Sequence, residues 1–189
     1  MLSAHLKAGR YDEAIPLLRT RLQLEPGHIE SLYNLGMVYS GRMQLKQARE
    51  LLGRAVELDP GYANAQVALG IAALRDNDPE AAQGPLEKAV VLEPRNPFAL
   101  RTLGQLLMMK DDAPAALPHL RAAATVAPRD PINLFTYAQG LPRMDAVMYL
   151  SSALETYREL DIADQKQLLG EVAAVGQKGL AINNPDQTH

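Results

Sequence analysis

The stretch ARELLGRAVELDP, Ala48 to Pro60, decides the fold, because the chain writes it again. At an interval of thirty-four residues stand AAQGPLEKAVVLEP (Ala81–Pro94) and then PAALPHLRAAATVAP (Pro114–Pro128). An earlier copy, DEAIPLLRTRLQLEP (Asp12–Pro26), precedes them. Four columns hold this register: Ala14, Ala48, Ala82, Ala116; Leu18, Leu52, Leu86, Leu120; Leu24, Leu58, Leu92, Val126; and Pro26, Pro60, Pro94, Pro128. Upstream in each complete unit, Leu35, Leu69 and Leu103 are followed by Gly36, Gly70 and Gly104. A fixed period of this size is the mark of a repeat architecture.

Each unit reads as two helices. Leu32, Leu35, Gly36 and Tyr39 fall three and four apart, which is one face of a first helix, A. Turn-forming stretches follow at matching places: SGRMQ, RDND and KDDAP. Ala48, Leu52 and Ala55 then form one face of a second helix, B. The alanines are predicted to be contact points, the leucine a knob, and Gly36 the gap that receives it. The closing proline stops helix B, since it lacks an N–H and restricts the residue before it. In RNP and RDP, Asn96 and Asp130 are predicted N-caps, with Pro97 and Pro131 opening the next helix. Pro16, Pro85 and Pro118 stand early in B helices, where they are expected to cost one hydrogen bond and a slight bend.

The period, the Leu-Gly of helix A, the Ala…Leu…Ala of helix B, the final proline and GRYDEA (Gly9–Ala14) together resemble the tetratricopeptide repeat (TPR) family. The resemblance is close over residues 1–130 and looser beyond. It implies an all-α fold, an αα-hairpin solenoid wound as a right-handed superhelix. The expected organisation is a solenoid over 1–161, with a truncated repeat 1–28, full repeats 29–62, 63–96 and 97–130, and a degenerate repeat 131–161. A capping helix over 162–180 is expected to cover the apolar end through Leu168, Leu169, Val172 and Val175, as solenoids require, leaving a disordered tail, 181–189. In the degenerate repeat, Ala146, Leu150 and Ala153 arrive four residues early, the closing proline is missing, and helix B is expected to run on through ETYREL.

Composition bounds the chemistry. The 189 residues carry a net charge of −3 and no cysteine, which removes disulfides, thiolate catalysis and the common structural zinc sites. A nearly balanced charge lacks the basic excess of a nucleic-acid binder. No stretch approaches the roughly 20 apolar residues of a membrane span, and the start does not resemble a secretory signal; a cytoplasmic location is the expectation. The four histidines are scattered, no phosphate loop or nucleophile elbow is present, and the DND of Asp76–Asp78 lacks the glycine and distal glutamate of a calcium loop. No catalytic, metal or cofactor site is expected, and the chain is not expected to be an enzyme.

In TPR proteins the A helices line a concave groove that receives a peptide or helix. Carried over residue by residue, that resemblance places Tyr33, Asn34, Met37, Val67, Ile71, Phe98, Arg101, Gln105 and Phe135 on the peptide-binding face. Their apolar members would form an exposed strip of the kind that marks a partner surface, with Asn34, Arg101 and Gln105 setting polar register. The carboxylate clamp of chaperone-binding TPR domains is not reproduced: Asn34 fits, but Asn64 and Ala68 stand where lysine and arginine are needed. The expected function is therefore a non-catalytic protein-interaction scaffold. The competing readings are a self-assembling or structural module whose apolar groove is filled by its own chain, with the incomplete first repeat inviting self-association, and the recognition arm of a larger enzyme.

Overall fold

The computed structural model describes residues 11–141, 143–159 and 165. Among these, all regular structure is helical. The helices are α1 (Tyr11–Leu24), α2 (Ile29–Gly41), α3 (Leu45–Leu58), α4 (Ala63–Arg75), α5 (Pro79–Leu92), α6 (Pro97–Met109), α7 (Ala113–Val126), α8 (Pro131–Gln139) and α9 (Arg143–Arg158). They fall into two compact units, Met1–Pro94 and Arg95–His189. Each unit is built as αα-hairpins, so the all-α solenoid read from the repeat is the observed fold class. The first holds α2 against α3 and α4 against α5, with α1 packed on α2; the second pairs α6 with α7 and α8 with α9.

Local sequence explains the boundaries. Asp78 and Asp112 accept hydrogen bonds from the N–H groups of Ala81 and Ala115, capping α5 and α7. Asn96 and Asp130 cap α6 and α8 in the same way, with Pro97 and Pro131 as first helical residues. Less orthodox is His28, whose Nδ1 accepts from Ser31 N–H at the start of α2. The turns after α2, α4 and α6 each pass through one left-handed residue: Met43, Asn77 and Asp111, at φ of 58 to 59°. Helix α5 continues through Pro85 and α7 through Pro118.

The alanine and knob-leucine columns are full, whereas Leu24, Leu58 and Leu92 of the third column stand exposed. Ala14, Ala48, Ala82 and Ala116, and with them Leu18, Leu52, Leu86 and Leu120, are buried. A Cβ added to Gly36 would stand 2.7 Å from Leu52 Cγ, and one on Gly70 2.5 Å from Leu86 Cγ. In the second unit a Cβ on Gly104 would stand 2.5 Å from Leu120 Cδ2. Glycine is thus required because the leucine knob already occupies the space a side chain would take. Burying each such leucine contributes roughly 2 kcal/mol before cavity effects.

The degenerate repeat departs from expectation at its knob. Ala146 and Ala153 are buried as read, but Leu150 is exposed, as is Leu154. The position that is glycine in the three earlier A helices is here Ala138, itself buried. Its methyl group occupies the space that glycine leaves open, so a leucine cannot seat there. Ala153 lies instead in a cluster with Leu134 and Tyr137. Helix α9 ends at Arg158, short of Leu160. The predicted helix A of the truncated repeat, the capping helix 162–180 apart from Gln165, and the tail 181–189 lie outside the described residues.

Candidate functional site

The A helices α2, α4, α6 and α8 carry the expected binding residues. Positions seven apart on an A helix lie two turns apart on one face, about 10 Å along the axis. In the first unit that face begins with exposed Glu30 and Asn64 and continues to Met37 and Ile71. Met37 is 43% exposed, and Ile71 is half-buried. Asn34 is half-buried, and no side-chain hydrogen bond engages it among the described residues. Tyr33 lies deeper, its ring packed against Tyr62 with centroids 5.2 Å apart and planes at 57°. Burial pushes the Tyr33 phenol above its ordinary pKa. Tyr62 is raised too, first by burial and then by Tyr33, Glu30 and Asp59 nearby.

Val67 does not stand where an exposed strip needs it. It is only 4% exposed, so the apolar strip of the first unit reduces to Met37 and Ile71 flanked by Tyr33. Arg75, at the end of α4, donates to the carbonyl and hydroxyl oxygens of Ser40 at 3.1 and 3.2 Å. That bond ties the end of one A helix to the end of the A helix before it.

In the second unit the order of chemistry along the face is reversed. Phe98, 46% exposed, and half-buried Ile132 occupy the first turn, while Gln105 and Gln139 occupy the row two turns on. Phe135 is half-buried between Ile132 and Gln139. Arg101, expected to give a partner polar register, is instead 8% exposed. Its guanidinium donates to Asn133 Oδ1 at 2.9 Å and pairs with Asp130 Oδ2 at 3.2 Å. It also lies 5.2 Å from the Phe98 ring centroid. The other Asp130 oxygen caps α8 through the N–H groups of Ile132 and Asn133. Fully buried Asn133 reaches on to the Ala123 carbonyl of α7 at 3.4 Å. A lone guanidinium at this depth would be strongly disfavoured, so the arginine is committed to joining α6, α7 and α8.

Sequence reasoning missed this network and one other. Arg49 of α3 grips Asp76 at 2.6 Å and Asp78 at 2.8 Å across the next turn. Those hydrogen bonds raise the Arg49 pKa; the Ala81 N–H first, and Arg49 second, hold the Asp78 carboxyl below its ordinary value. A signal was present in the spacing: Tyr33 and Tyr62 are twenty-nine residues apart, as are Arg101 and Asp130. An offset five short of the period connects an A helix to the cap of the next.

Among the described residues no group of three or more histidine or acidic side chains could hold a metal ion, and no helix is long and apolar enough to cross a membrane. No curated protein matches the chain in sequence. Among solved structures, a crystal structure of MamA superposes with a TM-score of 0.73 at 24% identity, covering 84% of this chain and 95% of that one. MamA 41-end from Desulfovibrio magneticus RS-1 gives 0.73 at 20% identity, covering 85% and 93%. YrrB, described as a TPR protein with an unusual peptide-binding site, gives 0.67 at 17%, covering 84% of each chain. At such identities the likeness concerns the fold alone. The sequence pattern of the tetratricopeptide repeat itself matches residues 5–69 and again residues 67–131. On that pattern, and on the hairpins that carry it, this chain belongs to the tetratricopeptide repeat family.

Proposed function

We propose that the chain is a non-catalytic interaction scaffold that takes a peptide or helix of another protein on the groove face of its A helices. One observation carries the reading: large apolar side chains, Met37 and Phe98, stand open on A helices whose packing columns are already full. Neither is needed by the core, and exposed apolar groups at such positions favour a partner that buries them. Methionine adds a contact that adapts to more than one shape. The peptide-binding site named for YrrB is consistent with this use of the fold. Tyr33, Asn34 and Ile71 complete the proposed contact in the first unit, Gln105 and Phe135 in the second. Val67 and Arg101 support it from beneath.

The test is a lysate pull-down with the native chain beside a Met37→Glu/Phe98→Glu variant of equal helicity. A protein retained by the first and lost by the second supports the reading. Recovery that ignores the variant overturns it.

A second reading rests on α1. Leu17 is exposed, whereas Leu51, one repeat later, packs against the cluster of Leu32, Ala55 and Ala65. Self-association through this helix would cover it. Light scattering over a wide concentration range checks this, and a mass fixed at one chain would exclude it.

A further inference from the structure

The groove face of the first unit ends on a cation that no acidic group pairs with among the described residues. Arg75, the last residue of α4, is exposed, and its Nη1 donates to the carbonyl and hydroxyl oxygens of Ser40 on α2. Both acceptors are neutral, and the acidic groups that follow in sequence, Asp76 and Asp78, are gripped by Arg49 of α3. Nη1 is thus fixed, while the edge formed by Nε and Nη2 stays unengaged among the described residues. That edge is a fork matching the two oxygens of one carboxylate. Ile71 lies one turn before Arg75 on the same face, and Met37 one turn before Gly41. Helices α2 and α4 are in contact, so the four positions adjoin. Gly41 is exposed, and a Cβ added to it would meet nothing within 4 Å, which leaves the end of α2 open.

We infer that Arg75 anchors an acidic side chain, Asp or Glu, of a partner peptide whose adjoining apolar residue seats on Met37 and Ile71. The inference rests on the groove reading above and names the ligand chemistry for its first unit. Charge along the face selects the place. Exposed Glu30 at the start of α2 and exposed Asp59 just before α4 repel a carboxylate, while Arg75 receives it at the other end. The guanidinium is held by Ser40 before the peptide arrives, so less side-chain freedom is lost on binding than for a free arginine. An exposed pair also keeps part of its hydration, which makes the contact modest in strength and sensitive to salt. A phosphate group, with close to two charges, calls for a cluster of arginines, and Arg42, the next cation along this turn, is already paired with Asp12 at 2.6 Å. The open space over Gly41 lets the peptide run on past the guanidinium, so the carboxylate belongs to a side chain rather than to a chain terminus.

The experiment is a selection on the full chain from a random peptide library displayed on phage, followed by synthesis of the enriched sequences with blocked ends. Two variants stand beside the native chain: Arg75→Gln, which keeps an amide to donate to Ser40, and Met37→Asn, which removes the apolar seat without adding charge. The expected peptides share an Asp or Glu next to a large apolar residue, bind about fivefold more weakly to Arg75→Gln and are lost on Met37→Asn. Changing that acid to its amide should cost the same factor in the native chain and nothing further in Arg75→Gln, the mark of a direct contact. Should Arg75→Gln melt earlier than the native chain, the loss on amide substitution in the native chain, and its shrinkage between about 50 mM and about 500 mM salt, carry the test. Apolar peptides that need no acid, lost on Met37→Asn but indifferent to Arg75→Gln, would overturn the anchor and leave the groove reading standing. So would an acid whose loss weakens binding equally in both proteins. Free-acid versions of the same peptides that no longer need the internal acid would overturn the side-chain source. No enrichment, or binders indifferent to both variants, would overturn the anchor and the groove reading together.

Discussion

The two units solve one junction in two ways. In the first, the A-helix residue Tyr33 meets Tyr62, the residue that starts the next A helix, in an aromatic pair. In the second, the same repeat positions hold Arg101 and Asp130, an ion pair that also caps α8 and recruits Asn133. The backbone offset is identical, and only the chemistry changes. The aromatic pair tolerates the loss of one partner, because what remains is apolar. The ion pair does not, because what remains is a buried polar group without its partner. An arginine–tyrosine bond occurs in both units but to tyrosines at different repeat positions: Arg19 donates to the Tyr39 hydroxyl at 2.6 Å, and Arg121 to that of Tyr137 at 2.9 Å.

That difference is best broken at its strongest point. Arg101→Met should cost about 3 kcal/mol, since it strands Asn133 in the interior and removes the partner of Asp130. Urea unfolding measures the loss, and amide exchange should place it in α6 and α8. Pairing it with Asp130→Ala should give a sum well short of additive; full additivity would mean that the two side chains do not act together.

The glycine columns should show no difference between the units. Gly36→Ala and Gly104→Ala each gain about 1 kcal/mol of helix propensity. Each also drives a methyl group into a leucine, at a cost of about 3 kcal/mol. A net loss of about 2 kcal/mol in both is expected. Tolerance of alanine at either site would show that the leucine knob can step aside.

In the first unit, Tyr33→Leu keeps apolar bulk and removes only the ring pairing, so a loss of about 1 kcal/mol is expected from thermal unfolding. A cost equal to that of Arg101→Met would erase the proposed distinction. At the turn before α3, Met43 adopts a left-handed backbone that Asn77 adopts one repeat later. Met43→Asn should therefore stabilise the chain, by about 0.5 kcal/mol.

The smallest effect is a change of slope. Asp78 has a lowered pKa in the folded chain, so its contribution is present above the ordinary aspartate pKa and lost as pH falls through the lowered folded value. Asp78→Asn should flatten the stability curve below about pH 4. An unchanged acid limb would mean that the Arg49 clamp and the Ala81 cap contribute nothing.

Much of the fold was legible along the chain. Ala48, Leu52 and Gly36 declare a helix pair because size alternation at three- and four-residue spacing has few other uses. Asn96-Pro97 and Asp130-Pro131 declare helix starts because capping is local chemistry. The candidate site was less legible. Val67 and Arg101 share a column with Tyr33 and Phe135, and helical periodicity assigns all four to one face. Periodicity reports direction around a helix and says nothing of depth, and the next A helix determines how much of each residue is left uncovered.

Leu150 marks the same limit. Its spacing from Ala146 and Ala153 copied the knob of the earlier repeats, yet a knob requires a hole, and Ala138 closes it. By itself the sequence determined the repeat, the capped helix starts and the family, because these depend on residue type at short range. Tertiary structure alone decided which groove residues are open and which are spent within the protein. Burial and charge pairing arise between side chains about thirty residues apart in sequence, whose meeting depends on how neighbouring helices pack.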